Sequence, residues 1–380
     1  MPSKLFFVVN DPAFFLSHRL PIARAAKDAG YDVHVATSTG VSVDRIATYD
    51  FKYHELPVSR SGKNPFSELQ TLLVLLKLFR QVAPDIVHLI TVKPVIYGGI
   101  LARLTKTPAV VAAISGLGFA FIRKGFMARI IRYAIGYFYR IALGHNNIRV
   151  IFQNNDDARV ISSLAVLMPE QVSLIRGSGV DLQSYVPKTL PEGCPVVMLA
   201  ARLLVDKGCL EFVEAARILR QRVVKARFVL VGIPDPGNPA SLTQKHVARW
   251  VSEGLVEDWG YRQDMPEVLV QAALVVLPSY REGLPKVLIE AQACGRAVVT
   301  TDVPGCRDAI TPDVTGLLVP PRDVVALADA IETLLCDRNR LQTMGEAGRA
   351  WAEKCFDVRQ VVAEHLDIYR ELLQKVKGDR

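Results

Sequence analysis

The sequence predicts an α/β protein of two tandem Rossmann-like domains, each a parallel sheet covered by helices, with the two sheets facing a cleft. Three observations predict it. Short apolar runs alternate with helix-period segments in repeated β-α order, the signature of a parallel sheet with helices on both faces. The alternation is interrupted by Y-V-P-K-T-L-P-E-G-C-P (Tyr185–Pro195), which carries three prolines and a glycine, and then starts again. The chain, at 380 residues, is also long for a single core. The expected division is 1–187 and 188–357, with a closing helix at about 358–380 that packs back on the first domain.

Element by element, the first domain reads as strands at Leu5–Val9, Asp32–Ala36, Phe51–Leu56, Asp85–Ile90, Ala109–Ala113, Arg149–Phe152 and Val172–Ile175. Helices are expected at Phe15–Ala29, Pro65–Val82, Val95–Leu104 and Gly125–Leu143, with a polar turn over Thr37–Ser42. In the second domain strands are expected at Val196–Ala200, Arg227–Val231, Val256–Asp258, Ala273–Leu277, Ala297–Thr300 and Gly316–Val319. Helices are expected at Leu210–Arg222, Thr243–Ser252, Pro266–Ala272, Val324–Leu335, Arg338–Lys354 and Val358–Lys375, besides the one that ends at Gly295.

Composition narrows the class. Half the residues are hydrophobic, as in a well-packed enzyme-sized protein. The six cysteines all follow residue 190, without C-x-x-C or Cys/His metal spacing, and read as reduced residues of a cytosolic protein. The opening M-P-S-K-L-F-F-V-V-N-D has too short an apolar run for a signal peptide, and no stretch reaches the ~18 apolar residues of a membrane span. The net charge of +8 divides unevenly: residues 1–187 hold 21 Lys/Arg against 12 Asp/Glu, and residues 188–380 hold 25 against 26. The basic excess belongs to the first half, and no nucleic-acid partner is expected. G-x-G-x-x-G is missing after the first strand, G-x-x-x-x-G-K-[ST] is missing altogether, and so is Asp-x-Asp. No dinucleotide cofactor, P-loop or metal pair is therefore expected.

The chemistry concentrates in P-S-Y-R-E-G-L-P-K-V-L-I-E-A-Q-A-C-G-R-A-V-V-T-T (Pro278–Thr301), a strand end, loop, helix and strand. The loop delivers backbone N–H groups at a helix N-terminus, a ready anion site, with Pro285 in the first turn. Glu282 lies just before that helix, and Glu290 lies two turns beyond Gly283, near the same face. An anion at the helix end with a carboxylate further along is the outline of a nucleotide diphosphate running towards a ribose. The plainer reading is a helix-dipole partner for Glu282 and an i,i+4 pair for Lys286 and Glu290. A second loop, A-R-L-L-V-D-K-G (Ala201–Gly208), brings Arg202 and Lys207 to another strand's carboxyl end, as solvated cations or as charge stabilisers of a departing diphosphate.

These residues resemble the retaining nucleotide-sugar glycosyltransferases of family 4, which have the two-Rossmann GT-B fold. The resemblance rests on A-R-L-x-x-x-K-G and on E-G-L-P-x-V-x-x-E, whose paired carboxylates are Glu282 and Glu290. It extends through P-D-I-V-H (Pro84–His88), R-G-S-G-V-D (Arg176–Asp181), A-C-G-R-A-V-V-T-T (Ala293–Thr301) and T-G-L-L-V-P-P (Thr315–Pro321), covering essentially the whole chain. It implies that Arg202, Lys207 and the amides of Gly283 and Leu284 hold the diphosphate. It further implies that Glu290 accepts from ribose hydroxyls, that Glu282 touches the donor sugar, and that no metal or other cofactor takes part. The first domain would then bind the acceptor and the second the nucleotide sugar.

One departure stands in the first loop, where N-D-P-A-F-F-L-S-H-R (Asn10–Arg19) replaces the Gly-Gly pair of many members. His18, from the start of the first helix, is then expected to assist, or to be a structural histidine. The F-L-S-H-R-L form, with T-V-K-P-x-I-Y-G (Thr91–Gly98) and S-G-L-G (Ser115–Gly118), is similar to bacterial enzymes that add N-acetylhexosamine-type sugars during surface-glycan assembly. That similarity implies a UDP-sugar donor and a polyprenyl-diphosphate-linked acceptor, with Lys93 as the candidate for the acceptor's diphosphate. Sugar-nucleotide 2-epimerases share the architecture but need acid/base carboxylates not identifiable here; a non-catalytic nucleotide-sugar-binding protein is the third possibility.

Gly116–Gly144 interleaves Arg123, Lys124, Arg129, Arg132 and Arg140 with Phe, Met, Ile and Tyr. Such a segment is either a domain helix with arginines on its outer face or a basic amphipathic helix lying on an anionic membrane surface. With no acidic residue between Asp85 and Asp156, the second reading is the expectation: a cytoplasmic protein docked on the inner face of the cell membrane.

Overall fold

The computed structural model describes residues 2–40, 42–58, 64–117 and 125–378, with side chains throughout except at 126–129 and 131. The chain forms two compact units, Met1–Ser178 with Arg359–Arg380, and Gly179–Val358.

Unit 1 runs β1 (Lys4–Val9), α1 (Pro12–His18), α2 (Leu20–Asp28), β2 (Asp32–Thr37), α3 (Val43–Ala47), β3 (Lys52–Glu55), α4 (Pro65–Val82), β4 (Ile86–Ile90), α5 (Val92–Leu104), β5 (Ala109–Ile114), α6 (Phe126–Ala142), β6 (Ile148–Phe152), α7 (Asn155–Ala165) and β7 (Val172–Leu174). The strands form one sheet in the order β3-β2-β1-β4-β5-β6-β7, every pairing parallel. Both faces are covered, which is why Leu5–Val9 of β1 is a continuous apolar run rather than an alternating one. Phe6 and Val8 pack with Leu75 of α4, Val95 of α5, Tyr139 of α6 and Ile161 of α7. Leu5, Phe7 and Val9 pack on the other side with Phe15 of α1 and Ile22 of α2.

The expected helix Phe15–Ala29 is two helices. Pro21 opens α2, and its ring and missing N–H cannot continue the hydrogen-bond ladder of α1. Arg19 at the break is buried and its guanidinium donates to the His18 carbonyl at 3.0 Å. Two helices were not expected at all: α3, which follows the expected turn, and α7. The second is started by Asn154, whose side chain accepts from the Asp157 amide at 2.8 Å, with Asp156 and Asp157 in the first turn.

Unit 2 runs β8 (Val196–Ala200), α8 (Cys209–Gln221), β9 (Arg227–Val231), α9 (Gln244–Ser252), β10 (Glu257–Asp258), α10 (Met265–Leu269), β11 (Leu274–Leu277), α11 (Lys286–Ala293), β12 (Ala297–Thr301), β13 (Gly316–Val319), α12 (Val324–Leu335) and α13 (Arg338–Cys355). Its sheet is again parallel throughout, in the order β10-β9-β8-β11-β12-β13. The last helix, α14 (Val358–Gly378), returns to unit 1. Tyr369 of α14 meets Nδ1 of His88 on β4 at 2.6 Å, and Asn147 donates to the Leu372 carbonyl at 3.0 Å.

The boundary differs from the expected 187/188, which falls inside unit 2. Residues 179–187 are not a free linker. Val180 bridges Asp357, and Arg349 of α13 donates to the Tyr185 carbonyl at 2.6 Å, so this segment is part of the unit's wall.

In each sheet the connections reverse direction once, between β1 and β4 in unit 1 and between β8 and β11 in unit 2. At such a switch point the loops after the two strands run apart and leave a crevice at the carboxyl edge, where ligands of open α/β sheets bind. The loops that follow β8 and β11 carry the residues singled out in the sequence.

Candidate functional site

The loop after β8 passes through a single 3₁₀ turn, Val205–Lys207, and enters α8 at Gly208. Gly208 has φ +74°, and a Cβ there would stand 2.2 Å from the Pro278 carbonyl oxygen. The two loops of the switch point therefore touch backbone to backbone, and only glycine fits. The Tyr280 amide donates to the Asp206 carbonyl at 2.9 Å, a second tie between them.

This contact brings Lys207 and Glu282 together. Lys207 Nζ donates to Glu282 Oε1, and Ser279 Oγ donates to the same oxygen at 2.7 Å. Both partners are mostly shielded, with 21% and 13% of their side chains exposed. The Glu282 loop is braced from behind by Gly305, at φ +83°, where a Cβ would stand 2.4 Å from the Glu282 carbonyl oxygen. The Glu282 amide donates to the Pro304 carbonyl at 3.0 Å, and Thr301 Oγ1 donates to the Ser279 carbonyl. Burial beside the Glu282 carboxylate pushes the Cys306 thiol up to about 12, so it stays protonated.

Gly283 and Leu284 lead into α11, which Pro285 caps without a side-chain acceptor. Pro285 is thus the N-cap rather than a residue of the first turn. Two turns on, Glu290 is buried. Its Oε1 accepts from the Tyr185 hydroxyl at 2.6 Å and lies 3.2 Å from Lys286 Nζ. The i,i+4 pair exists, yet it is only half of what holds this carboxylate. Arg202 is half exposed, and its Nη1 pairs with Asp235 Oδ2 at 2.5 Å. Both cations of the A-R-L-L-V-D-K-G loop accordingly have carboxylate partners.

Sequence reasoning missed Tyr185, Ser279 and Asp235, which come from three separate segments. It also missed the brace on Tyr280, whose hydroxyl donates to Glu211 at 2.5 Å beneath the Arg322 guanidinium, 4.4 Å from the ring centre. Glu211 stands four residues beyond Lys207 in the sequence, but only the fold turns it towards Tyr280.

In unit 1 the loop after β1 differs from what was expected. Asp11 caps α1 by accepting from the Phe14 amide at 2.8 Å, with Pro12 next to it. A carboxylate fills the helix end that a glycine pair would open to a phosphate. His18 is the last residue of α1, not near its start. Its ring stacks on Phe14 at 4.1 Å and its Nδ1 lies 2.5 Å from Ser17 Oγ. After β4, Thr91 takes φ +74° and α5 follows. Lys93, expected to meet an acceptor, pairs with Glu68 of α4 at 2.7 Å, and the Tyr97 hydroxyl donates to the other Glu68 oxygen at 2.6 Å.

Arg123 and Lys124 lie outside the described residues, as does the side chain of Arg129. Arg132 is half-buried, while Ile130, Tyr133, Tyr137 and Phe138 on the same helix, α6, are exposed. No helix among the described residues is long and apolar enough to cross a membrane, and no three His, Cys, Asp or Glu side chains among them cluster to hold a metal ion.

Comparison with known proteins follows the same division of the chain. Residues 4–154 match the family model of glycosyl transferase 4-like proteins, and residues 194–337 match that of glycosyl transferases group 1. A relative from Campylobacter jejuni is 29% identical over 95% of this chain and 99% of its own; it is an N,N'-diacetylbacillosaminyl-diphospho-undecaprenol alpha-1,3-N-acetylgalactosaminyltransferase. An Escherichia coli UDP-Gal:alpha-D-GlcNAc-diphosphoundecaprenol alpha-1,3-galactosyltransferase is 24% identical over 80% of each chain. In fold, HepE from Anabaena, solved in complex with UDP, matches 97% of this chain and 100% of its own with a TM-score of 0.74 at 18% identity.

Proposed function

We propose that this chain, which belongs to the group 1 and 4-like glycosyl transferases and has the GT-B fold, is a retaining, metal-independent enzyme that moves an N-acetylhexosamine-type sugar from a UDP-sugar to a saccharide carried on a polyprenyl diphosphate. The observation that carries this reading is the Lys207–Glu282 pair at the switch point of unit 2, with Glu290 in the second turn of α11. A cation and a carboxylate at the mouth of a helix suit the two ends of a sugar diphosphate. The UDP-bound HepE and the two undecaprenyl-linked relatives support the choice of donor and acceptor class.

In this reading an acceptor hydroxyl attacks the anomeric carbon from the face that the nucleotide leaves. The bond from that carbon to the phosphate oxygen breaks, and the acceptor's proton passes to that departing oxygen. Lys207, Arg202 and the backbone N–H groups of Gly283 and Leu284 stabilise the charge that develops on the diphosphate, an electrostatic role fixed in advance by the fold. Lys207 reaches the diphosphate by giving up part of its contact with Glu282, which turns towards the sugar hydroxyls. Glu290 receives the ribose. His18 and Lys93 belong to the acceptor side; Lys93 exchanges Glu68 for the acceptor's diphosphate.

Docking on the cytoplasmic face of an anionic membrane completes the proposal. Arg132 with exposed Tyr133, Tyr137 and Phe138 on α6 suits lipid headgroups. The same helical layer, through α5, also includes α4, where Phe66, Leu69 and Leu73 are exposed at one-face spacing.

The test is to incubate the protein with bacterial membranes and a panel of labelled UDP- and GDP-sugars. Label entering organic-soluble lipid supports transfer. A changed free nucleotide sugar without acceptor is epimerisation and overturns the proposal, as does binding without any turnover.

A further inference from the structure

Glu290 is fixed by a residue that lies 105 positions away in the sequence, in a segment that reads as linker. The Tyr185 hydroxyl reaches Oε1 at 2.6 Å, and Lys286 Nζ approaches the same oxygen at 3.2 Å. A carboxylate oxygen offers about two lone-pair directions, so two donors on Oε1 leave Oε2 as the acceptor for a ligand. The two donors differ in what they fix. Lys286 stands on α11 itself, at the end of four rotatable bonds, and follows Glu290 through its rotamers. Tyr185 approaches from outside the helix on a stiff ring.

That ring is itself held. The Tyr185 amide donates to the Asp181 carbonyl at 2.9 Å, and Arg349 Nη1 bridges the Tyr185 and Ala293 carbonyls at 2.6 and 2.8 Å. The ring also packs on the core formed by Leu288, Ile289 and Phe356. Burial, with the Glu290 carboxyl beside it, raises the phenol far above its ordinary range, so at neutral pH its oxygen carries the proton that it donates to Glu290 Oε1.

We propose that Tyr185 is a positioning residue for the nucleotide: its hydroxyl sets the Glu290 carboxylate so that Oε2 meets the ribose hydroxyls. This rests on the reading of Glu290 as the ribose acceptor. Removing the hydroxyl leaves the carboxylate on the helix but lets it swing with Lys286, so the ribose contact weakens while the diphosphate contacts stand.

The experiment is calorimetric titration of the full-length protein, Tyr185→Phe and Glu290→Gln with UDP and with 2′,3′-dideoxy-UDP, alongside donor kinetics. Tyr185→Phe keeps the ring that packs. We expect UDP to bind it about tenfold more weakly, the scale of one hydrogen bond to a charged group, while its affinity for dideoxy-UDP matches that of the parent. The KM for the donor rises by a similar factor and kcat changes less than twofold. Titrating both nucleotides on one sample separates ribose contact from any loss of folded protein. If Tyr185→Phe weakens both nucleotides equally, the residue is merely structural and the proposal fails. If Glu290→Gln loses UDP affinity but Tyr185→Phe does not, positioning by Tyr185 is wrong and the ribose role of Glu290 stands. If Glu290→Gln binds UDP like the parent, or if the parent binds no UDP, the underlying reading falls and the proposal with it.

Discussion

Lys207 Nζ and Glu282 Oε1 are hydrogen-bonded partners across two loops that the sequence separates by a whole α-β-α-β-α-β run. The pair forms because Gly208 lets its loop lie directly on Pro278, and Ser279 supplies a second donor to the same carboxylate oxygen. A lysine so placed has its charge aimed into the switch point and its long side chain already ordered. Replacing Lys207 with Ala is expected to lower turnover about a hundredfold, the cost of losing one preorganised charge-stabilising donor. Steady-state kinetics with saturating donor measures it, and turnover like that of the parent would remove Lys207 from the mechanism.

Backbone contact at the same place gives a second expectation. Gly208→Ala and Gly305→Ala each force a Cβ to within 2.2 and 2.4 Å of a carbonyl oxygen at a positive φ. Strain of that kind costs about 1–3 kcal/mol before any steric repulsion is relieved. Each variant should melt several degrees lower and lose donor affinity, whereas alanine at Gly193, where a Cβ meets nothing within 4 Å, should keep that affinity. Thermal melts with and without UDP distinguish the three. Unchanged donor affinity in both loop variants would show that loop apposition is not needed to build the site.

The proposed membrane face makes a third. Replacing Arg129 and Arg132 with Glu reverses two charges, each worth about 1 kcal/mol near an anionic surface. Binding to phosphatidylserine-containing liposomes should fall more than tenfold and the parent's binding should weaken with salt. Flotation of the variant equal to that of the parent would refute the assignment of α6 to the membrane.

A buried histidine pair sets the acid limit of unit 1. His88 on β4 and His365 on α14 stack at 5.6 Å beside buried Arg19, with Tyr369 bonded to His88. Desolvation holds His365 down to about 3 and His88 well below its ordinary value; the Arg19 guanidinium pushes both further, and His365 also opposes a charge on His88. Folded, both stay neutral; unfolded, both take up a proton near 6.5. Stability from this source is complete above about pH 6.5 and is lost as the pH falls below it, by about 1.4 kcal/mol per pH unit for each imidazole. Urea unfolding followed through unit 1 should show at least this slope between pH 6.5 and 5, since burial lowers His34, His54 and His145 as well, and His365→Phe should reduce it. An unaltered slope in that variant would exclude the pair as its source.

Much of this protein was legible in one dimension. Both parallel sheets were, because a strand buried on both faces must be apolar where it is buried, as Leu5–Val9 and Val196–Ala200 are. The two loops were legible as short runs at strand ends, and Arg202, Lys207, Glu282 and Glu290 fall in them; the fold brings Lys207 and Glu282 of those runs together. The helix break at Arg19 was visible too, in Pro21, though its weight beside an uninterrupted apolar period was not.

Tertiary structure alone decided which groups meet. Glu290 has a partner on its own helix that spacing reveals, but its tighter partner, Tyr185, arrives through the packing of residues 179–187 onto α11 and α13. That Lys93 pairs with Glu68 is decided by the juxtaposition of α4 and α5, and His18 reads as a helix-start residue until Pro21 closes α1 behind it. The sequence therefore determined the sheets and the loops, because these follow from local periodicity and short motifs. The partners of each charge were decided only by the fold, because a hydrogen bond depends on positions to within a fraction of an ångström, and those come from contacts far apart along the chain.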